Sequence, residues 1–122
     1  MSPFFAAVLA ATYLVALPAF FWWLGTWKPT HARRMLAQGA LLVDVGAPEE
    51  YAREHLDGAR NVPADEVALR QEELGDHRQR IVIYGRTHVT SAVAAQTLRG
   101  IGFHDVFDMG TIDSARTAEL HG

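Results

Sequence analysis

Leu41-Leu42-Val43-Asp44-Val45 and, further on, Ile81-Val82-Ile83-Tyr84-Gly85 are almost unbroken apolar runs. Strands buried on both faces of a parallel sheet read this way, whereas a strand with one wet face alternates. Pro48-Glu49-Glu50 predicts a helix after the first run, with Pro in its first turn and acids at its positive end. Tyr51 and His55, one helical turn apart, share a face of that segment. Asp57-Gly58 marks a turn, Asn61-Val62-Pro63 a short extended piece, and Val67, Leu69 and Leu74 a further helix stopped by Gly75. After the second run, a polar loop from Gly85 to Thr90 enters a helix carrying Val93, Ala94 and Leu98 and stopping at Gly100. Val106 and Phe107 predict a last short strand, and Ser114 to Leu120 a terminal helix. Upstream, Thr30 reads as the cap of a helix over 31–38, with Gly39 beyond its end. Strands alternating with helices predict an α/β domain over residues 30–122, its central, mostly parallel sheet flanked by helices.

The rest of the chain is a different material. Of 122 residues, 11 are basic and 14 acidic, and none of these precedes Lys28. The averages of 49% hydrophobic and 20% charged therefore conceal an uncharged start and one small domain. Residues 4–24 are Phe, Ala, Val, Leu, Tyr and Trp with one Thr and one Pro. As a helix, kinked at Pro18, they would span roughly 31 Å, about one hydrocarbon core. Phe4 and Phe5 at one end, with Trp22, Trp23 and Trp27 at the other, suit an aromatic belt. A cleaved signal peptide would need a basic start, a shorter run and small residues before the cut; Leu17 stands where Ala16-Leu17-Pro18-Ala19 would need a small one. Residues 1–27 are thus expected to be a transmembrane helix, joined through residues 28–29 to the domain. Lys28, Arg33 and Arg34 follow the apolar run, which predicts an outside N-terminus and a cytoplasmic domain, as at a bacterial inner membrane. With so short a connection the domain would rest near the bilayer, where Arg33 and Arg34 can meet anionic headgroups.

Several chemistries are excluded or find no support. Beyond Arg34, eight basic side chains face fourteen acidic ones, the opposite of the field a nucleic-acid binder needs. The chain has no cysteine, which removes disulfides, iron–sulfur and zinc–thiolate sites, and every mechanism resting on its own thiol. His31, His55, His77, His88, His104 and His121 show no paired ligand spacing, so no metal or other cofactor is expected. His55 reads as a hydrogen-bonded structural residue, and Glu49, Glu50 and Glu54 read as acids on a helix surface.

The stretch LLVDVGAPEEYAREHLDGARNVP, Leu41 to Pro63, followed by IVIYGRTHVTSAVAAQTLRGIGF, Ile81 to Phe103, resembles a single-domain rhodanese, the sulfurtransferase fold. The markers are Asp44 ending the first core strand, Glu50-Tyr51, and His55-Leu56-Asp57-Gly58-Ala59 followed by Asn61-Val62-Pro63. Tyr84 to Ser91 falls where that family carries its active-site loop. The resemblance implies a cysteine at the loop's first position, whose thiolate holds sulfur as a persulfide stabilised by loop amides and cations. Gly85 stands there instead. Arg86-Thr87-His88-Val89-Thr90-Ser91 otherwise looks like the thiosulfate-type loop. Gly46 replaces the family's Arg after Asp-Val, and His88 replaces its loop Gly, a position expected to be costly for a side chain. A single Gly110 and the lack of any Trp after Trp27 depart from its usual ending. The resemblance therefore implies the fold and argues against the activity; phosphatases of related fold need the same cysteine.

No catalytic residue is expected. The loop Gly85, Arg86, Thr87, His88, Val89, Thr90 and Ser91 has two readings. Its amides, with Arg86 and His88 adding charge, could cradle phosphate, sulfate or a sulfur oxyanion. Alternatively, Thr90 or Ser91 caps the helix, Arg86 points to solvent and Gly85 serves a tight turn. Asp44 is expected to support the loop through hydrogen bonds. The leading expectation for function is a membrane-anchored, catalytically inactive interaction module or accessory subunit at a membrane protein or complex. The alternative is a small-oxyanion sensor.

Overall fold

The computed structural model describes residues 31–121, with side chains as far as Thr117. The span expected over residues 4–24 and the Thr30 cap lie outside the described residues. Among those described, no helix is long and apolar enough to cross a membrane.

Helix α1 (His31–Ala37) leads into strand β1 (Leu41–Asp44), then helix α2 (Pro48–Arg53) and strand β2 (Arg60–Asn61). Two 3-10 turns, Ala64–Glu66 and Gln71–Leu74, precede strand β3 (Ile81–Gly85), helix α3 (His88–Gly100), strand β4 (Val106–Thr111) and helix α4 (Ile112–His121). The strands form one sheet in the order β2-β1-β3-β4, every neighbouring pair parallel. β1 and β3 lie in its centre, Leu41 opposite Ile81 and Asp44 opposite Tyr84. That position explains why both read as continuous apolar runs.

Alternate residues of these strands feed two cores. Val43, Val45, Ile81 and Ile83 pack with Val62, Leu98 and other residues on the face covered by α3. Leu42, Val82 and Tyr84 pack with Met35, Leu56 and Ile112 on the face covered by α1 and α4. Burying a side chain of this size contributes about 1.5–3 kcal/mol, so the central strands dominate the stability of the domain.

Three expectations are corrected. The helix predicted through Val67, Leu69 and Leu74 is instead the pair of 3-10 turns, with Val67 and Leu74 buried and Leu69 86% exposed. Two anchors seven residues apart pin the ends of a polar stretch, leaving no apolar face along which a full helix could pack. The last strand runs on to Thr111, because pairing with β3 continues past an irregularity between Ile83 and Gly85. Gly110, at φ 82, absorbs the extra residue there in a conformation that only glycine adopts without penalty. The terminal helix accordingly starts at Ile112, and Thr111 Oγ1 accepts the Ser114 N–H at its entry.

Candidate functional site

From β1 the chain crosses to β2 on one side and later returns to β3 on the other. The carboxyl ends of β1 and β3 therefore flank the switch point where parallel α/β sheets open a crevice. Asp44-Val45-Gly46 and Tyr84-Gly85-Arg86 meet at this crevice.

On the α1/α4 side, Asp44 is fully buried. Its Oδ1 and Oδ2 accept from Arg86 Nη1 and Nη2, both at 3.0 Å, and Oδ1 also accepts the Gly46 N–H at 2.8 Å. Arg86, its side chain only 16% exposed, also donates to the Glu54 carbonyl at 2.7 Å and stands over the Tyr84 ring. Burial works against the Arg86 charge, but the hydrogen bonds and charge of Asp44 outweigh it and raise the guanidinium above its ordinary value. Burial likewise pushes the Tyr84 hydroxyl well up, and this oxygen accepts the Leu56 N–H at 2.9 Å. The Glu54 carboxylate in turn pairs with Arg116 of α4 at 2.9 Å. Arg86 is thus not directed freely to solvent: a buried carboxylate offers it a fixed bidentate partner, and its remaining exposed edge lines an open pocket with Arg53, Glu50 and Glu54.

Gly46 is needed beneath this pair. A Cβ there would stand 2.9 Å from Asp44 Oδ1 and 3.2 Å from Arg86 Nη1. Glu50 lies as close, its Oε1 accepting the Ala47 N–H at 2.8 Å and closing the entry to α2.

The loop itself is short. Gly85 is the last residue of β3 and is buried. It does not require a positive φ, so it does not serve the tight turn expected of it. A Cβ at Gly85 would point under the start of α3, 3.3 Å from Val45 Cγ2 and 3.7 Å from the Ser91 amide nitrogen. The cap is Thr87, not Thr90 or Ser91: its Oγ1 accepts the Thr90 N–H at 3.1 Å, because the helix begins at His88. Thr90 Oγ1 bonds Thr87 Oγ1 at 2.8 Å, and the buried Ser91 donates to the His88 carbonyl at 3.2 Å. His88 is not strained, since no non-glycine residue among those described has a positive φ. Its exposed ring lies over Gly110 of β4. Val89 is 73% exposed.

Across the strands, on the α3 side, an open groove of about 390 Å³ runs past the ends of β1 and α3. Val45, Gly46, Pro48, Pro63 and Ala64 line it, with Thr90 at its α3 edge. Its charged residues are Glu50, Asp65 and Glu66, with no Lys or Arg. Glu50 reads in the sequence only as a helix-surface acid, and Asp65 and Glu66 went unrecognised, because the three come from two separate segments that only the fold brings together. His55 donates from Nδ1 to the Tyr51 carbonyl at 2.8 Å and stacks on the Tyr51 ring, a structural role. No group of three or more His, Asp or Glu among the described residues is placed to hold a metal ion.

Comparison with known proteins agrees on the fold. The family described as Rhodanese-like domain matches residues 28–110. The chain is 34% identical over 93 residues to the thiosulfate sulfurtransferase GlpE of Haemophilus influenzae, covering 75% of this chain and 88% of that protein. It is 34% identical over 70 residues to the uncharacterized protein YqhL of Bacillus subtilis, covering 57% of this chain and 55% of YqhL. Among solved structures, a rhodanese with anions from E. coli aligns at a TM-score of 0.59 and 28% identity, covering 62% of this chain and 91% of that one. The human single-domain sulfurtransferase TSTD1 aligns at 0.60 and 25% identity, covering 70% and 89%.

Proposed function

The chain belongs to the rhodanese-like domain family, and from that premise we propose that it is a member without sulfurtransferase activity, working as a membrane-anchored interaction module. The observation that carries this reading is Gly85 at the end of β3, where the family's loop needs its thiol, in a chain with no cysteine to replace it. GlpE and TSTD1 are named for sulfur transfer; this chain lacks the group that would take up the sulfur. Residues 4–24 supply the anchor in this reading, with the N-terminus outside and the domain at the cytoplasmic face of a bacterial inner membrane. The domain then acts as an accessory subunit of a membrane protein or complex. The oxyanion-sensor alternative is weaker, since Arg86 is committed to Asp44 and the open groove carries only acids.

The test is purification of the full-length chain from its native membrane in mild detergent. A membrane protein retained at stoichiometric amounts is the expected result. Recovery of the chain alone would overturn the reading, as would thiocyanate formation from thiosulfate and cyanide above a boiled control.

A further inference from the structure

The groove at the switch point has the wrong charge for the anions that a cationic loop would hold. Glu50, Asp65 and Glu66 line it without any Lys or Arg; Arg86, whose charge reaches Glu50, is held by Asp44, and Arg70, whose charge reaches Glu66, is paired with Glu73. Glu50 is tied to the Ala47 amide, while Asp65 and Glu66 form no salt bridge among the described residues. Between these acids the accessible surface is apolar at Pro48 and Ala64, which lie over the buried Val45 and Pro63. The apolar surface does not stop at the groove's edge. Thr90 lines that edge, Val93 follows one turn later on the same face of α3, and Val89 stands one turn before Val93. Val89 is 73% and Val93 51% exposed, two of the three large apolar side chains left in solvent among the described residues. An apolar floor, an acidic rim and an adjoining valine pair match an extended segment in which Lys or Arg alternates with apolar side chains.

We propose that this groove is the docking site for an extended basic–apolar segment of a partner protein, its cations meeting Asp65, Glu66 and Glu50 and an apolar side chain resting on Val89 and Val93. The proposal deepens the interaction-module reading and rests on it. Apolar contact holds the segment, and the acids set its orientation and reject anionic competitors.

The probe is a fluorescent peptide alternating Lys or Arg with Val, titrated against the full-length protein in nanodiscs of zwitterionic lipid. Saturable binding is expected, weakened about tenfold in Asp65→Asn/Glu66→Gln, which removes charge and keeps shape. Val93→Ser should weaken it as well. Glu72→Gln, an exposed acid outside the groove, should leave it unchanged. Raising the salt should narrow the gap between wild type and the double variant. Equal binding by empty discs, by the double variant, or of a peptide with Glu at each basic position would overturn the assignment. So would a dimer of this chain that the double variant dissolves, since the occupant would then be a second copy. In native membranes, a stoichiometric partner retained equally by wild type and double variant would sink the groove and leave the module reading standing. A chain that comes out alone would sink the module reading, while the peptide titration still decides what the groove accepts.

Discussion

On one side of the crevice between β1 and β3, Asp44, Arg86, Glu54 and Arg116 form a connected chain of hydrogen bonds and ion pairs from the core to the last helix. On the other side, Asp65 and Glu66 share a groove with Glu50 and no cation lines it. The difference follows from depth. A carboxylate with no exposed surface must be paired where it stands, because an isolated buried charge costs several kcal/mol. Acids at an open rim are solvated, lose nothing by standing unpaired, and keep their field for whatever approaches. The first side has become part of the structure, and the second remains open to a ligand.

The largest effect should come from breaking the buried pair. Asp44→Ala leaves Arg86 and the Gly46 amide without their acceptor and should lower the unfolding free energy of the domain by about 3–5 kcal/mol in urea titration. A loss under about 1 kcal/mol would mean that water replaces the pair freely, and the contrast between the two sides would collapse. Gly85→Cys should have a middling effect. Val45 must yield slightly to a Cβ at 3.3 Å, which costs about 1–2 kcal/mol. The new thiol should still give no thiocyanate from thiosulfate, because Arg86 is held by Asp44 and the acidic groove repels a dianion. Measurable turnover by this variant would show that the groove's charge does not govern access. Asp65→Asn should move stability by no more than about 0.5 kcal/mol, as expected at an unpaired surface site. A larger loss would reveal a structural partner for Asp65 and make the two sides alike.

Much of the architecture was legible in the chain. Leu41–Asp44 and Ile81–Gly85 carry enough consecutive apolar residues to identify buried strands, and Pro48 and Gly39 mark a helix start and a helix end by backbone chemistry alone. The stretch from Ala64 to Leu74 was not legible, because two apolar residues at helical spacing, Val67 and Leu74, do not say whether a face exists for them to cover. Position 85 was legible as a site without a nucleophile. The cap at Thr87 was not, since three hydroxyl residues within five positions of a helix start offer the same local chemistry, and where the backbone turns decides which one is used. Asp44 was legible as a hydrogen-bonding support of the loop, but not Arg86 as the group it holds, since the two lie 42 residues apart.

What this chain cannot do was determined by sequence: with no cysteine, no arrangement of its atoms supplies a thiolate. The order of strands and helices was also written locally, in apolar runs and in Pro and Gly punctuation. Tertiary structure alone decided the fate of the charges. Arg86 reads the same in the chain whether it faces solvent, an anion or a buried carboxylate, and only the parallel register placing Tyr84 beside Asp44 makes the third of these its state. The acids at positions 50, 65 and 66 became one field by the same route. Electrostatic energy depends on separation and dielectric, and both are properties of the folded chain.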